Sequence, residues 1–194
     1  MNSVINILAK NPERSICKSR MKQLLTKDER EFLSKEMLKM ICYEISSIQI
    51  DKYLHVCPDS SGCFVKNLSS KYGIKIVNQS FGYLSKKIYS ALNTNKDKYT
   101  KRVVIGADIP SLSVNEINDC LKSLDYCDLV IGPSNDNGFY LVGTKNQAHE
   151  CFQTMELNDI LTDDIINICH NQKIEYKLIR ELKDIDTPND LLNL

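Results

Sequence analysis

The chain has 194 residues, enough to bury one sizeable core. Its 25 basic and 25 acidic residues cancel, which argues against a nucleic-acid binder that works through bulk charge. No apolar run approaches the length of a membrane span, and the first residues lack the basic, apolar and small pattern of a signal peptide.

Eight cysteines are scattered through the chain, most of them inside apolar patterns. None shows the two-residue spacing of a zinc knuckle or redox pair, so the expectation is reduced, mostly buried thiols in a cytoplasmic protein. In chain order, Val4 to Ala9 reads as a first strand. Lys10 to Lys22 breaks both periodicities and is dense in base. Lys10, Arg14, Lys18, Arg20 and Lys22 could converge there on an anion, or could line a solvated turn. Thr26 opens a helix with acid in its first turn, and Phe32, Leu33, Met37, Leu38, Met40, Ile41 and Ile45 mark one broad apolar face. Tyr53 to Cys57 is a strand closed by Pro58, Cys63 to Lys71 a short helix, and Ile74 to Val77 another strand. A loop from Gln79 to Tyr83 then enters a helix carrying Leu84, Ile88 and Leu92 on one face.

The most informative stretch is Lys101 to Thr144. Val103 to Ile105 reads as a buried strand, and Asp108 follows it in a turn sharpened by Gly106 and Pro110. Ser113 and Glu116 form a helix start, Leu129 to Ile131 is a strand broken by Gly132-Pro133, and Phe139 to Val142 is a further strand. A helix is expected from Leu157 to Cys169 with Thr162 as its cap, then a strand over Ile174 to Ile179. Strands alternating with helices predict one α/β domain over residues 1–194, a mixed and mostly parallel sheet with helices on both faces.

In such folds ligands sit outside the carboxyl ends of strands, where Asp108 falls. A carboxylate placed there suits Mg²⁺ or Mn²⁺, whose shell phosphates complete; it also suits a turn cap. Thr187, Pro188 and Asp190 fit a helix start, which leaves Asp184 and Asp186 unexplained and pointing to one side of an extended segment. Asp136, in the loop Ser134 to Gly138, could contact a substrate hydroxyl or close its own turn. His55 reads as a core residue, and His149 and His170 as surface residues.

Gly106-Ala107-Asp108-Ile109-Pro110-Ser111-Leu112, followed by Gly132 to Gly143, resembles the paired hallmark of a bacterial glycosyltransferase-A-like family of the nucleotide-diphospho-sugar transferase superfamily. That family includes radical-SAM- and selenodomain-associated transferases and arsenosugar-biosynthesis glycosyltransferases. Ala9 to Glu13 with Lys18-Ser19-Arg20 is similar to its N-terminal loop, Gln79 with Gly82-Tyr83-Leu84 to its Gly-Asp-Leu segment, and Asp184 to Pro188 with Asp190-Leu191 to its C-terminal signature. The resemblance implies a nucleotide over the first strand, Asp108 and Asp186 as metal ligands, and Asp108 and Asp136 as catalytic. It also implies donor contacts from Lys10, Lys18, Arg20 and Gln79. The leading expectation is a metal-dependent glycosyltransferase with a nucleotide-sugar donor and a small-molecule acceptor. A nucleotidyltransferase of guanylyl or cytidylyl type, releasing pyrophosphate, is the alternative, and a catalytically degenerate nucleotide-binding protein a third. Ser15, Tyr83 and Asn137 depart from the family pattern, in directions that would change substrate choice or weaken the site. The oligomeric state is not legible.

Overall fold

A computed structural model describes residues 2–14, 17–146, 148–157 and 159–192. Ser15 lies outside the described residues. Seven strands form one sheet: β1 (Ser3–Lys10), β2 (Asp51–Cys57), β3 (Lys75–Asn78), β4 (Lys101–Gly106), β5 (Leu129–Pro133), β6 (Phe139–Lys145) and β7 (Tyr176–Leu178). Their spatial order is β3-β2-β1-β4-β6-β5-β7. β6 runs antiparallel to both its neighbours, β4 and β5, while the other pairings are parallel. This is the mixed, mostly parallel sheet that the alternation of strand and helix predicts.

The helices are α1 (Lys27–Ser46), α2 (Cys63–Tyr72), α3 (Leu84–Asn93), α4 (Val114–Ser123), α5 (Thr162–Gln172) and α6 (Pro188–Leu192). Local chemistry sets several of their ends. Thr26 and Glu29 make a reciprocal cap on α1, and Ser113 and Glu116 make one on α4. On one face of the sheet, α1, α2 and α4 pack over Ile5, Ile7, Leu54, Val103 and Ile105; on the other, α3 and α5 cover Val104, Leu129, Ile131 and Val142. Strands covered on both sides must be apolar at successive positions, as Val103 to Ile105 is. Among the described residues no helix is long and apolar enough to cross a membrane.

Several expectations need correcting. The apolar face of α1 is narrower than its sequence suggests: Leu38, Ile41, Cys42 and Ile45 are buried, but Phe32 is 66% and Met40 48% exposed, because they lie on the opposite side of the helix. Gly132-Pro133 does not stop β5 at Ile131, although the strand does end at Pro133. The strand runs through both, with a pairing irregularity between them that accommodates a residue lacking an N–H. Thr162 is the first residue of α5 and not its cap, and 159–161 are not helical; its N–H and hydroxyl instead bond to the carbonyls of Asn137 and Gly138. The strand expected over Ile174 to Ile179 shrinks to β7. No disulfide joins any of the eight cysteines among the described residues, and six are buried, as expected.

His149 is buried, not on the surface, with its ring stacked on Tyr89 at 5.6 Å. His55 is buried as expected, with Nε2 3.0 Å from the Asn6 side-chain oxygen, and Asn6 in turn donates to the Val103 carbonyl. Burial lowers both histidines to about 4. The unfolded chain therefore takes up these protons first, at its pKa near 6.5, so stability is full above that value and falls as pH drops towards 4. Urea unfolding from pH 7 to 4 should lose up to about 3 kcal/mol to His55, and His55→Gln should flatten that part of the profile.

Gly132 lies under the Tyr140 ring, where an added Cβ would come within 2.5 Å of ring carbon. Tyr140 is buried and its hydroxyl donates to the Arg180 carbonyl, so the ring has no free path aside. Gly132→Ala should cost about 1–3 kcal/mol in the same unfolding assay.

Candidate active site

The chain moves outward from β1 through β2 to β3, then returns to place β4 on the other side of β1. That reversal opens a crevice at the carboxyl ends of β1 and β4, the usual ligand position in open α/β sheets. Lys10 ends β1, Cys57 ends β2, Gln79 follows β3, and Asp108 follows β4 by two residues. Because β6 is antiparallel, the loop before it (134–138) reaches the same edge. The C-terminal segment then runs back along that edge: Leu182 N–H donates to the Pro133 carbonyl and Ile185 N–H to the Asp108 carbonyl.

The crevice has two parts. Over β1, β2 and β3 lies a cavity of about 300 Å³, lined by Lys10, Cys57, Pro58, Gln79, Ser80, Phe81, Gly82 and Lys87. Phe81 is 82% exposed at its rim, and the buried Ser80 hydroxyl has no protein partner. Over β4 and β6 lies a cluster of ions. The Lys18 side chain is only 3% exposed, with its ammonium 2.7 Å from Asp108 Oδ1 and 3.9 Å from Asp186 Oδ1. It also donates to the Ile185 carbonyl. Arg20, largely exposed, pairs with the other oxygen of Asp186. Asp184 is pushed up to about 6, chiefly by burial and further by Asp136, Asp186 and Asp190.

Convergence of the basic loop on one anion is not what the structure shows. Lys10 and Gln79 meet at the cavity, Lys18 and Arg20 turn to carboxylates, and Arg14 reaches Asp59 at 3.8 Å. The amino end of α2, a ready anion site, is filled by the protein's own Glu13, which accepts from Phe64 N–H at 3.1 Å. Asp136 closes its own loop, with Oδ1 accepting from the Ser134 hydroxyl at 2.6 Å and Gly138 N–H at 2.9 Å. Asn137 takes a positive φ of 66°, which its side chain tolerates. Tyr83 caps α3 without a side-chain bond. Asp190 completes the expected cap with Thr187.

Sequence reasoning missed Lys87, Ser80 and Phe81 as cavity residues, since nothing in their spacing says that the ends of β2 and β3 converge there. It also missed the Ile185 carbonyl, which carries no side-chain signature.

Lys18 itself tests whether Asp108 and Asp186 could hold a divalent cation, because both carboxylates already reach a single positive centre. Mg²⁺ or Mn²⁺ takes one or two carboxylates with phosphates completing the shell, so these donors fit. No group of three or more His, Cys, Asp or Glu gathers to enclose an ion among the described residues.

The model of a family described as "uncharacterized protein conserved in bacteria" (DUF2064) matches residues 46–159, more than half of the chain. The chain belongs to the DUF2064 family. This DUF2064 protein is also 24% identical over 196 residues to a 2-phospho-L-lactate guanylyltransferase of Methanocaldococcus vulcanius, covering 97% of the chain and 82% of the relative. It is 27% identical to the enzyme of the same name from Methanocaldococcus jannaschii, covering 95% of the chain and 79% of the relative.

Among solved structures, a Desulfovibrio desulfuricans protein described as a nucleotide-diphospho-sugar transferase superimposes with a TM-score of 0.87 at 20% identity, covering 98% of this chain and 85% of that one. A 4-diphosphocytidyl-2C-methyl-D-erythritol synthase from Anaerococcus prevotii gives 0.69 at 14% identity, covering 99% and 95%. The fold is thus that of the nucleotide-diphospho-sugar transferases, and the relatives' names agree with the expectation of a transferase enzyme.

Removing one partner of the Lys18 ion cluster leaves a nearly buried ammonium short of a carboxylate. Asp108→Asn should therefore lower unfolding free energy by roughly 1–3 kcal/mol, with little relief from added salt, as urea titrations at two ionic strengths will read.

Proposed function

We propose that the chain is a nucleotidyltransferase, which joins the nucleoside monophosphate part of a nucleoside triphosphate to a phosphorylated small acid. The observation that carries this reading is the alignment with relatives named 2-phospho-L-lactate guanylyltransferase along 95–97% of the chain. The crevice suits it, with a cavity beside a cluster of cations and carboxylates. In the reaction, an oxygen of the acceptor phosphate bonds to the α-phosphorus. The bond from that phosphorus to the bridging oxygen breaks, and pyrophosphate leaves with the electron pair.

Each part of the site has a role in this reading. The cavity holds the nucleoside, with Gln79 and Ser80 offering polar edges and Phe81 a flat apolar one. Lys10 and Lys87 at its wall, and Lys18 and Arg20 at the cluster, meet phosphate oxygens and orient the chain of phosphates. Asp136 fixes the loop on the acceptor side. Asp108 and Asp186 hold Mg²⁺ or Mn²⁺, which when bound neutralises charge gathering on the departing pyrophosphate.

Glycosyl transfer from a nucleotide sugar to a small acceptor, the arsenosugar type included, is the second reading. It is favoured by the 0.87 superposition on a protein described as a nucleotide-diphospho-sugar transferase. Pyrophosphate release from each nucleoside triphosphate, with Mn²⁺ and 2-phospho-L-lactate or a related phosphorylated hydroxy acid, decides between them. The expected result is pyrophosphate equimolar with a nucleotidyl acid for one base, slowed at least about a hundredfold in Asp108→Ala. Nucleoside diphosphate released from a nucleotide sugar would instead establish glycosyl transfer. Silence in both assays from folded protein would leave nucleotide binding without transfer.

A further inference from the structure

If Asp108 and Asp186 hold the metal, as the proposed function requires, Lys18 occupies the place the metal must take. Its ammonium lies within 2.7 Å of one carboxylate and 3.9 Å of the other, and its side chain is only 3% exposed. Arg20 covers the remaining oxygen of Asp186. A divalent ion entering beside that ammonium would put like charges within contact distance, which disfavours both being there together.

We propose that Lys18 is a built-in competitor of the metal: the ion binds by displacing the Lys18 ammonium from Asp108 and Asp186, and the displaced lysine passes to the phosphates that arrive with the ion.

Charge conservation in the crevice gives the exchange its logic. Metal alone would strand the Lys18 and Arg20 cations, and triphosphate alone would face carboxylates still holding them. Metal and triphosphate together give every charge a partner: carboxylates to the ion, lysine and arginine to the phosphates. The two ligands therefore bind with positive coupling, each weak without the other. Lys18 stands at φ 47° and ψ 46°, a left-handed conformation that a lysine adopts at a cost and can leave. The rest of the loop need not follow, since Met21 is anchored in a small core with Met37 and Ile185.

The test is Mn²⁺ binding without nucleotide, read from the spectrum of the free ion by electron paramagnetic resonance, on the full chain and its variants. Lys18→Met should bind Mn²⁺ at least about tenfold more tightly than the parent, since a neutral side chain no longer competes. Arg20→Gln changes a largely exposed side chain and should bind roughly threefold more tightly; it carries the test if Lys18→Met does not fold. Asp108→Asn should bind more weakly than the parent.

Equal Mn²⁺ affinity in the parent and in both cation variants, with Asp108→Asn weakened, would overturn the competition while leaving the metal at these carboxylates. Unchanged affinity in Asp108→Asn would overturn the competition and the metal assignment together.

Discussion

A single ammonium holds the working edge of this molecule in shape. The Lys18 side chain is almost fully covered, and its ammonium finds three partners in two regions far from it in sequence: the Asp108 carboxylate, the Ile185 carbonyl and, more distantly, Asp186. A buried ammonium left without them would carry an uncompensated desolvation cost. The loop after β1, the turn after β4 and the C-terminal segment are thereby fixed against one another. Ile185 reinforces the arrangement twice, through its N–H to the Asp108 carbonyl and its side chain against Met21 and Met37.

The sheet explains why these regions can meet at all. β1 lies between β2 and β4, so chain segments separated by 98 residues emerge side by side at one edge. Insertion of the antiparallel β6 between β4 and β5 then delivers a loop to an edge where parallel strands alone would have delivered a helix connection. The cavity and the ion cluster are in this way products of strand order. Their residues come from six strand ends with the connections after them and from α3, none of which contains a complete site.

How much of this was legible in the sequence follows from the range of the forces involved. Ser113 with Glu116 and Thr187 with Asp190 satisfy backbone donors three residues away, so these helix starts could be read directly. The run Val103 to Ile105 announced a strand covered on both faces, and the residues before and after it announced the edge where Asp108 stands. What failed was whatever depends on a partner chosen by the fold. Lys18 and Arg20 read as loop cations without protein partners, because nothing local says that Asp108 and Asp186 lie beside them.

His149 read as exposed because its neighbours are polar, whereas Tyr89 from α3 covers it. Phe32 and Met40 read as core because apolar composition was taken for an apolar face. β5 read as stopping at Ile131 because the irregularity that lets Pro133 be its last residue is not a property of proline itself.

The strap formed by residues 182–186 has a consequence for the order in which the protein becomes competent. A ribosome delivers Lys18 early, Asp108 midway and Asp186 only after all seven strands of the sheet have been made. A growing chain can therefore assemble β1, β2 and β4 and much of the core while its crevice still lacks the second carboxylate and the carbonyl that holds the ammonium. The ion cluster is completed late, when the strap is laid across the sheet, so that its assembly reports that the polypeptide has been synthesised through Asp186.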